Sequence, residues 1–250
     1  MKKAFLLVQF LLFSILVLSC EDDLGLPYYE PGSVILRYTG YVAKYNELHE
    51  QAEWVAYQLT DNEAVSKSVE RTDDFRSDPS VATETASSRD YRGSGYDRGH
   101  LAPARDMRWS AEAMSDSFYY SNMSPQAPGF NRGKWKSLEF RVRKWATANE
   151  EVYVITGPVL TDGPFETIGE NQVAVPKHFY KVILDFKEPE IKAIGFILPN
   201  EQISLPLSDF AVSIDQVEQT TGIDFFQLLP DGIEESIEST VTLPLWPDLD

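Results

Sequence analysis

Past position 20 this chain of 250 residues contains no cysteine, so its fold has neither a disulfide staple nor a thiolate-bound metal to hold it. Stability has to come from burying apolar surface, and the roughly 230 residues beyond that point suffice for one domain with a real core. The apolar residues fall into short runs of strand character: Val34-Ile35-Leu36-Arg37-Tyr38, Trp54 to Leu59, Val152 to Ile155, Lys181 to Leu184 and Ala193 to Leu198. Polar or proline-containing turns bound them. Trp135, Leu138, Val142 and Trp145 are spaced three, four and three apart, which predicts a helix over 131–147. Ser110 can cap a helix running to Asp116, and Phe118-Tyr119-Tyr120 reads as a strand leading into Asn122 and a turn at Pro125 to Pro128. Clustered strands with separate helices favour an α+β fold over a parallel, doubly wound sheet.

The first residues read as a processing segment. Lys2 and Lys3 precede an apolar run from Ala4 to Leu18, too short to span a bilayer comfortably. The run ends Val17-Leu18-Ser19-Cys20, similar to the lipobox of bacterial lipoproteins, in which the cysteine carries the lipid. An ordinary cleaved signal is the alternative. Residues 1–19 are therefore expected to be a lipoprotein signal peptide, with Cys20 the lipidation site and the protein exported and anchored to a bacterial membrane on its surface or periplasmic face. Residues 20–32, acidic and with Pro27 and Pro31, are expected to be a flexible tether, and residues 33–250 the folded domain.

The formal net charge is −17, moving to about −19 without Lys2 and Lys3, which speaks against a generic nucleic-acid binder. The distribution speaks differently. Between Arg89 and Lys144 there are eleven Arg or Lys against six acids, so half of the basic residues of the chain fall in this window. A local positive surface on an acidic body would attract a polyanion weakly and in a salt-sensitive way. Arg141, Arg143 and Lys144 read instead as a solvated helix face.

Of three histidines, His49 and His178 lie in a polar connection and before a strand, where structural or exposed roles are the rule. His100 closes Tyr96-Asp97-Arg98-Gly99-His100, beside a guanidinium suited to an anionic oxygen and a glycine that allows an unusual backbone angle or a close approach. It is the candidate general base. Downstream, Phe130-Asn131-Arg132-Gly133-Lys134-Trp135 precedes Leu138-Glu139. Asn131 offers a carbonyl oxygen and Glu139 a carboxylate, hard ligands that suit Mg2+, with Mn2+ or Ca2+ as substitutes. On one regular helix the two are about 12 Å apart along the axis, so Glu139 would act through metal-bound water. Without the histidine segment, an N-cap role for Asn131 and an ion pair for Glu139 would suffice.

Asp97-Arg98-Gly99-His100, Ser121-Asn122-Met123-Ser124-Pro125-Gln126 and Asn131-Arg132-Gly133 with Trp135 and Leu138-Glu139 closely resemble the DNA/RNA non-specific endonuclease family. This is the ββα-metal or His-Me finger group that takes in secreted bacterial nucleases and mitochondrial endonuclease G. The likeness extends to Trp54-Val55-Ala56-Tyr57, Arg71-Thr72-Asp73-Asp74-Phe75-Arg76, Thr156-Gly157-Pro158 and Thr221-Gly222-Ile223-Asp224-Phe225-Phe226. The resemblance implies a central antiparallel sheet flanked by helices, with a β-hairpin and helix holding the metal. It implies His100 as general base, Asn131 as direct metal ligand, Glu139 as holder of metal-bound water, Arg71 and Arg98 as phosphate contacts, and Asn122 as a supporting active-site residue. Asp97 is expected to orient the loop. The implied activity is metal-dependent hydrolysis of DNA and RNA to 5'-phosphate and 3'-hydroxyl ends with little sequence preference. Two other functions fit the residues alone: a phosphodiesterase acting on smaller substrates, and a surface lipoprotein that binds nucleic acid or a partner without turnover.

Overall fold

The structure, a computed structural model, describes residues 25–249. Along the chain the strands are β1 (Val34–Arg37), β2 (Val42–Asn46), β3 (Gln51–Thr60), β4 (Asp97–His100), β5 (Met123–Gln126), β6 (Glu151–Pro158), β7 (Glu166–Ile168), β8 (Val173–Val175), β9 (His178–Asp185), β10 (Lys192–Pro199) and β11 (Ala211–Val212). The helices are α1 (Asp61–Val65), α2 (Ser88–Tyr91), α3 (Ala111–Asp116), α4 (Lys136–Ala148), α5 (Ile214–Thr221) and α6 (Asp231–Glu238). Seven strands make one antiparallel sheet in the order β1-β2-β3-β6-β9-β10-β11.

Strand alternation gives this sheet two buried faces. Val55, Tyr57 and Leu59 of β3, Phe179 and Ile183 of β9, and Ile194, Phe196 and Leu198 of β10 point to one side, where Leu138, Val142 and Trp145 of α4 cover them. Trp54, Ala56, Tyr180, Val182, Leu184 and Ala193 point to the other, where Ile214 and Val217 of α5 and Ile237 of α6 close the core. The fold is therefore α+β with helices on both faces of a central antiparallel sheet. β4 and β5 pair separately, with His100 opposite Met123, and the chain then runs through a helical turn into α4. That is a two-strand-plus-helix unit standing beside the main sheet.

Several local expectations change. Residues 25–32, expected as part of the tether, lie on the domain: Leu26 is buried, the Tyr29 ring is 6.2 Å from Trp54, and the Tyr28 N–H donates to the Asp224 carbonyl at 2.8 Å. Apolar side chains scattered among acids and prolines found a surface that sequence period cannot show. Phe118-Tyr119-Tyr120 is no strand; the strand begins at Met123 and includes Pro125, which had read as a turn. The helix predicted over 131–147 is not regular. Phe130–Trp135 is wound as a π-helix and breaks at Gly133 (φ −104°, ψ −111°) before α4 starts. Arg143 is not on a solvated face but ion-paired to the buried Asp106 at 2.8 Å. The signal segment and Cys20 lie outside the described residues. No helix among the described residues is long and apolar enough to cross a membrane.

Candidate active site

His100 is the last residue of β4, and its ring sits edge-on to two aromatics, Phe118 at 4.9 Å and Phe75 at 5.8 Å between centroids. Phe75 and Phe118 also meet each other edge to face at 4.8 Å. On this aromatic pair lie both candidate phosphate contacts: the Arg98 guanidinium is 3.7 Å from the Phe75 ring and that of Arg71 is 4.8 Å from Phe118. Cation–π contact itself takes up no N–H donor, and of the Arg71 donors Nε is engaged by Asp73 Oδ1 at 2.6 Å. Phe75 and Phe118 are thus positioning residues whose role sequence reasoning missed, although each lies inside a segment it had singled out. Gly99 owes its identity to close approach: a β-carbon there would meet the Gln126 side chain at 2.1 Å.

The His100 ring shares a hydrogen bond with the backbone of Arg98, while its Nε2 is buried and has no partner. Nδ1 must then carry the proton given to the Arg98 carbonyl, which leaves Nε2 as the lone-pair nitrogen. Burial, followed by the neighbouring Arg71 and Arg98 charges, lowers the imidazole pKa from its ordinary value to about 3. At neutral pH His100 is an uncharged acceptor.

Asn131 reaches this place from the π-wound turn. Its Nδ2 donates to Asp97 Oδ2 at 2.9 Å, and Arg132 holds the same carboxylate through Nε at 2.8 Å and Nη2 at 2.5 Å. Fixing the amide nitrogen on Asp97 leaves the carbonyl oxygen as the arm free to meet a cation. The segment that leads into this turn is anchored by Asn200, whose Oδ1 accepts from Ala127 N at 2.8 Å and whose Nδ2 donates to the Pro125 and Pro176 carbonyls.

Glu139, on the first turn of α4, backs onto a buried charge cluster. Lys181 is fully buried on β9, its Nζ 4.6 Å from the Trp135 ring, and Asp106 is held by Arg143 at 2.8 Å and by the Tyr57 hydroxyl at 3.0 Å. Burial raises the Glu139 carboxyl, and Lys181 and Arg143 oppose that rise. Lys181 was legible as an anomaly: a lone charge between Phe179 and Ile183 on one face of an apolar strand needs a buried partner.

The two hard donors suit a divalent cation such as magnesium, which binds one or two protein oxygens and keeps waters. Asn131 and Glu139 would hold it, and the residues present therefore fit the expected metal. His100, Arg71, Arg98, Asn131 and Glu139 all line one cleft of about 1090 Å³. A second hollow of about 540 Å³ continues from it past Tyr96 and Arg92, sharing Arg71, Arg98, Asn131 and Arg132. Eight Lys or Arg side chains line the main cleft against only Glu139 and Asp248, so a positive groove crosses an acidic molecule.

Asn122 is not in that cleft. It is fully buried; its Oδ1 accepts from Ala102 N at 2.9 Å, and its Nδ2 donates to the carbonyls of Ala102 at 3.0 Å and Ser117 at 2.8 Å. With every polar atom of its amide engaged, it braces the loop that follows His100 and has nothing left for substrate. Asn122→Ala should then lower stability by about 3 kcal/mol through the stranded backbone groups. Urea unfolding would measure it, and turnover per folded molecule should fall by less than about tenfold. A fully stable but inactive variant would put Asn122 back in the chemistry. His178 pairs with Asp162 at 3.0 Å and His49 packs on Phe165; neither lines the cleft.

The DNA/RNA non-specific endonuclease family matches residues 26–232. Human mitochondrial endonuclease G is 40% identical over 198 residues, covering 74% of this chain and 67% of that protein. Nuclease C1 of Cunninghamella echinulata is 40% identical over 217 residues, covering 80% and 86%. The mouse mitochondrial nuclease EXOG is 36% identical, and the match spans only 58% of its length. Among solved structures, one of an EndoG/EndoGI complex superposes with a TM-score of 0.75 at 34% identity over 81% of this chain and 89% of that one. A match across most of the folded residues, together with the His100 and Asn131 geometry, places this chain in the DNA/RNA non-specific endonuclease family.

Proposed function

We propose that this protein hydrolyses phosphodiester bonds of both DNA and RNA in a metal-assisted reaction, with His100 as general base. The observation that carries this reading is the convergence of an unprotonated, unpartnered His100 Nε2, two ring-mounted arginines and the Asn131 and Glu139 oxygens on one positive cleft. The cation held by Asn131 and Glu139, which we take to be Mg2+ with Mn2+ or Ca2+ as substitutes, would supply Lewis-acid stabilisation of charge on the phosphate and leaving oxygen. His100 Nε2 takes a proton from the attacking water. Arg71 and Arg98, held on their aromatic rings, meet the non-bridging oxygens as charge builds on them. Nothing in this scheme uses a 2'-hydroxyl, and the arginines address phosphate rather than base edges, so sugar and sequence discrimination should be low. Products with 5'-phosphate and 3'-hydroxyl ends follow from water attacking opposite the 3' oxygen.

The groove favours a polymer over a small diester, because its positive lining runs on from the main cleft into the second hollow. The test is incubation of the purified protein with plasmid DNA, with RNA and with a chromogenic small diester, in magnesium and in chelator. Degradation of both polymers that stops with chelator is expected. Cleavage of the small diester alone would establish the phosphodiesterase instead, and retention of nucleic acid without cleavage would establish a binder.

Export and a lipid on Cys20 complete the proposal, supported by the Lys2-Lys3 start, the apolar run and the Ser19-Cys20 junction. Cys20→Ser should move the protein from the membrane fraction to the soluble fraction with nuclease activity unchanged, since Cys20 precedes the folded domain. Continued membrane retention would replace the lipid with an uncleaved helix.

A further inference from the structure

On the face of the sheet opposite α4, a second group of acidic side chains comes together. Asp215 and Glu218, one turn apart on α5, and Glu238, the last residue of α6, bring carboxylate oxygens within 4.8 Å of one another. The burial is graded. Asp215 is exposed, Glu218 is half-buried and Glu238 is only 8% exposed. Glu238 Oε1 is shut off from solvent and has no hydrogen-bond partner, although it sits with the other two carboxylates. A carboxylate oxygen nine-tenths buried, unpaired and surrounded by like charge is expensive to keep, and such groups are retained where something else satisfies them.

Among the described residues no cation is found acting on it. Burial first, and then the negative charges of Glu218, Glu234, Asp215 and Asp224, push its carboxyl up to about 8. No Lys, Arg or His occurs after Lys192, while eleven acids do. The helices that carry these side chains are nevertheless held in place. Ile214, Val217 and Ile237 lock both helices into the core beneath, Ser213 caps α5, and Glu218 is fixed by the Phe225 N–H at 2.8 Å.

We propose that Asp215, Glu218 and Glu238 form a second divalent-cation site, structural rather than catalytic, that takes calcium. Oxygens up to 4.8 Å apart suit an ion that binds oxygen at about 2.3–2.6 Å in flexible geometry, and backbone oxygens or water can fill the remaining positions. Magnesium, with shorter bonds of about 2.0–2.1 Å and a strict octahedron, fits this loose all-carboxylate set less well. The ion would tie α5 to α6, and would neutralise the charge that otherwise drives them apart.

The experiment is thermal unfolding of the purified protein in excess magnesium, with and without calcium, together with calorimetric titration of calcium in the same buffer. Calcium at about a hundred times its Kd is expected to raise Tm by roughly 5–10 °C, with one ion bound per chain. The rise should persist in Asn131→Ala, whose change lies at the other site. It should be lost in Glu238→Gln and also in the exposed Asp215→Asn, which leaves the core untouched, and both variants should keep magnesium-dependent nuclease activity. An equal rise in Asp215→Asn and Glu238→Gln would overturn the site. So would a wild-type protein that ignores calcium and is stabilised only by acidification, since the cluster would then hold a proton.

Discussion

His100→Ala is expected to lower kcat by about a hundred- to ten-thousand-fold, the usual worth of a positioned base, with the fold and metal affinity retained. Retention is expected because Nε2 makes no hydrogen bond in the folded protein and the aromatic pair Phe75 and Phe118 persists without the imidazole. The pH profile supplies a second reading. The imidazole pKa lies near 3 in the free protein through burial and the adjacent Arg71 and Arg98 charges, so the base form is present throughout the mildly acidic range. The acid limb of kcat/KM should therefore fall below the ordinary histidine value of about 6.5. A phosphate seated between the two arginines cancels part of their repulsion, raising the pKa in the complex, so the acid limb of kcat should lie above that of kcat/KM. The same depression has a stability sign: below about pH 6.5 the unfolded chain takes up a proton that the folded one refuses, so this group destabilises the fold increasingly down to about pH 3. Near-wild-type turnover of His100→Ala at pH 8, or a kcat limb below that of kcat/KM, would remove His100 from the base role.

Asn131→Ala should be the more damaging of two changes at the metal position, reducing turnover by about a hundredfold or more and weakening metal binding so that added magnesium restores only part of the rate. Glu139→Gln should cost about ten- to a hundredfold. The argument for this order rests on what each side chain touches. A regular helix would set the two residues about 12 Å apart along its axis, but the break at Gly133 interrupts that helix, so axial rise decides nothing. Asn131 is aimed by Asp97, which takes its amide nitrogen and leaves its oxygen uncommitted. Glu139 has its charge partly answered from behind by Lys181 and Arg143, so it is less able to bind a cation alone. Metal titrations of both variants at equal folded fraction, checked by circular dichroism, decide the matter. Loss of metal binding in Glu139→Gln with retention in Asn131→Ala would reverse the two roles.

Strands β1, β3, β6, β9 and β10 and helix α4 could be read in the sequence because each has a local signature: a short apolar, aromatic or β-branched run bounded by turn residues, or apolar residues three and four apart. His100 stood out because histidines are few and this one ends a segment with Arg98 and Gly99. Asn131 and Glu139 stood out because family likeness added spacing to donor type. Other features have no local period. Asp97-Arg98-Gly99-His100 contains no apolar residue and is a strand only because Met123 to Gln126 pairs with it. Asn122 looks like any exposed amide until the chain closes round it and turns all of its bonds to backbone. Phe75 and Phe118 become the mounts of two arginines and the base only when loops far apart in sequence meet. The sequence by itself determined the donor types, the candidate base and where the main strands lie along the chain, since these depend on side-chain chemistry and on patterns a few residues long. Tertiary structure alone decided which way the Asn131 amide faces, that His100 stays neutral, and that Asp215, Glu218 and Glu238 share one place. Each of these depends on burial and on charges brought together across the fold, and neither burial nor distance is written in a linear order of residues.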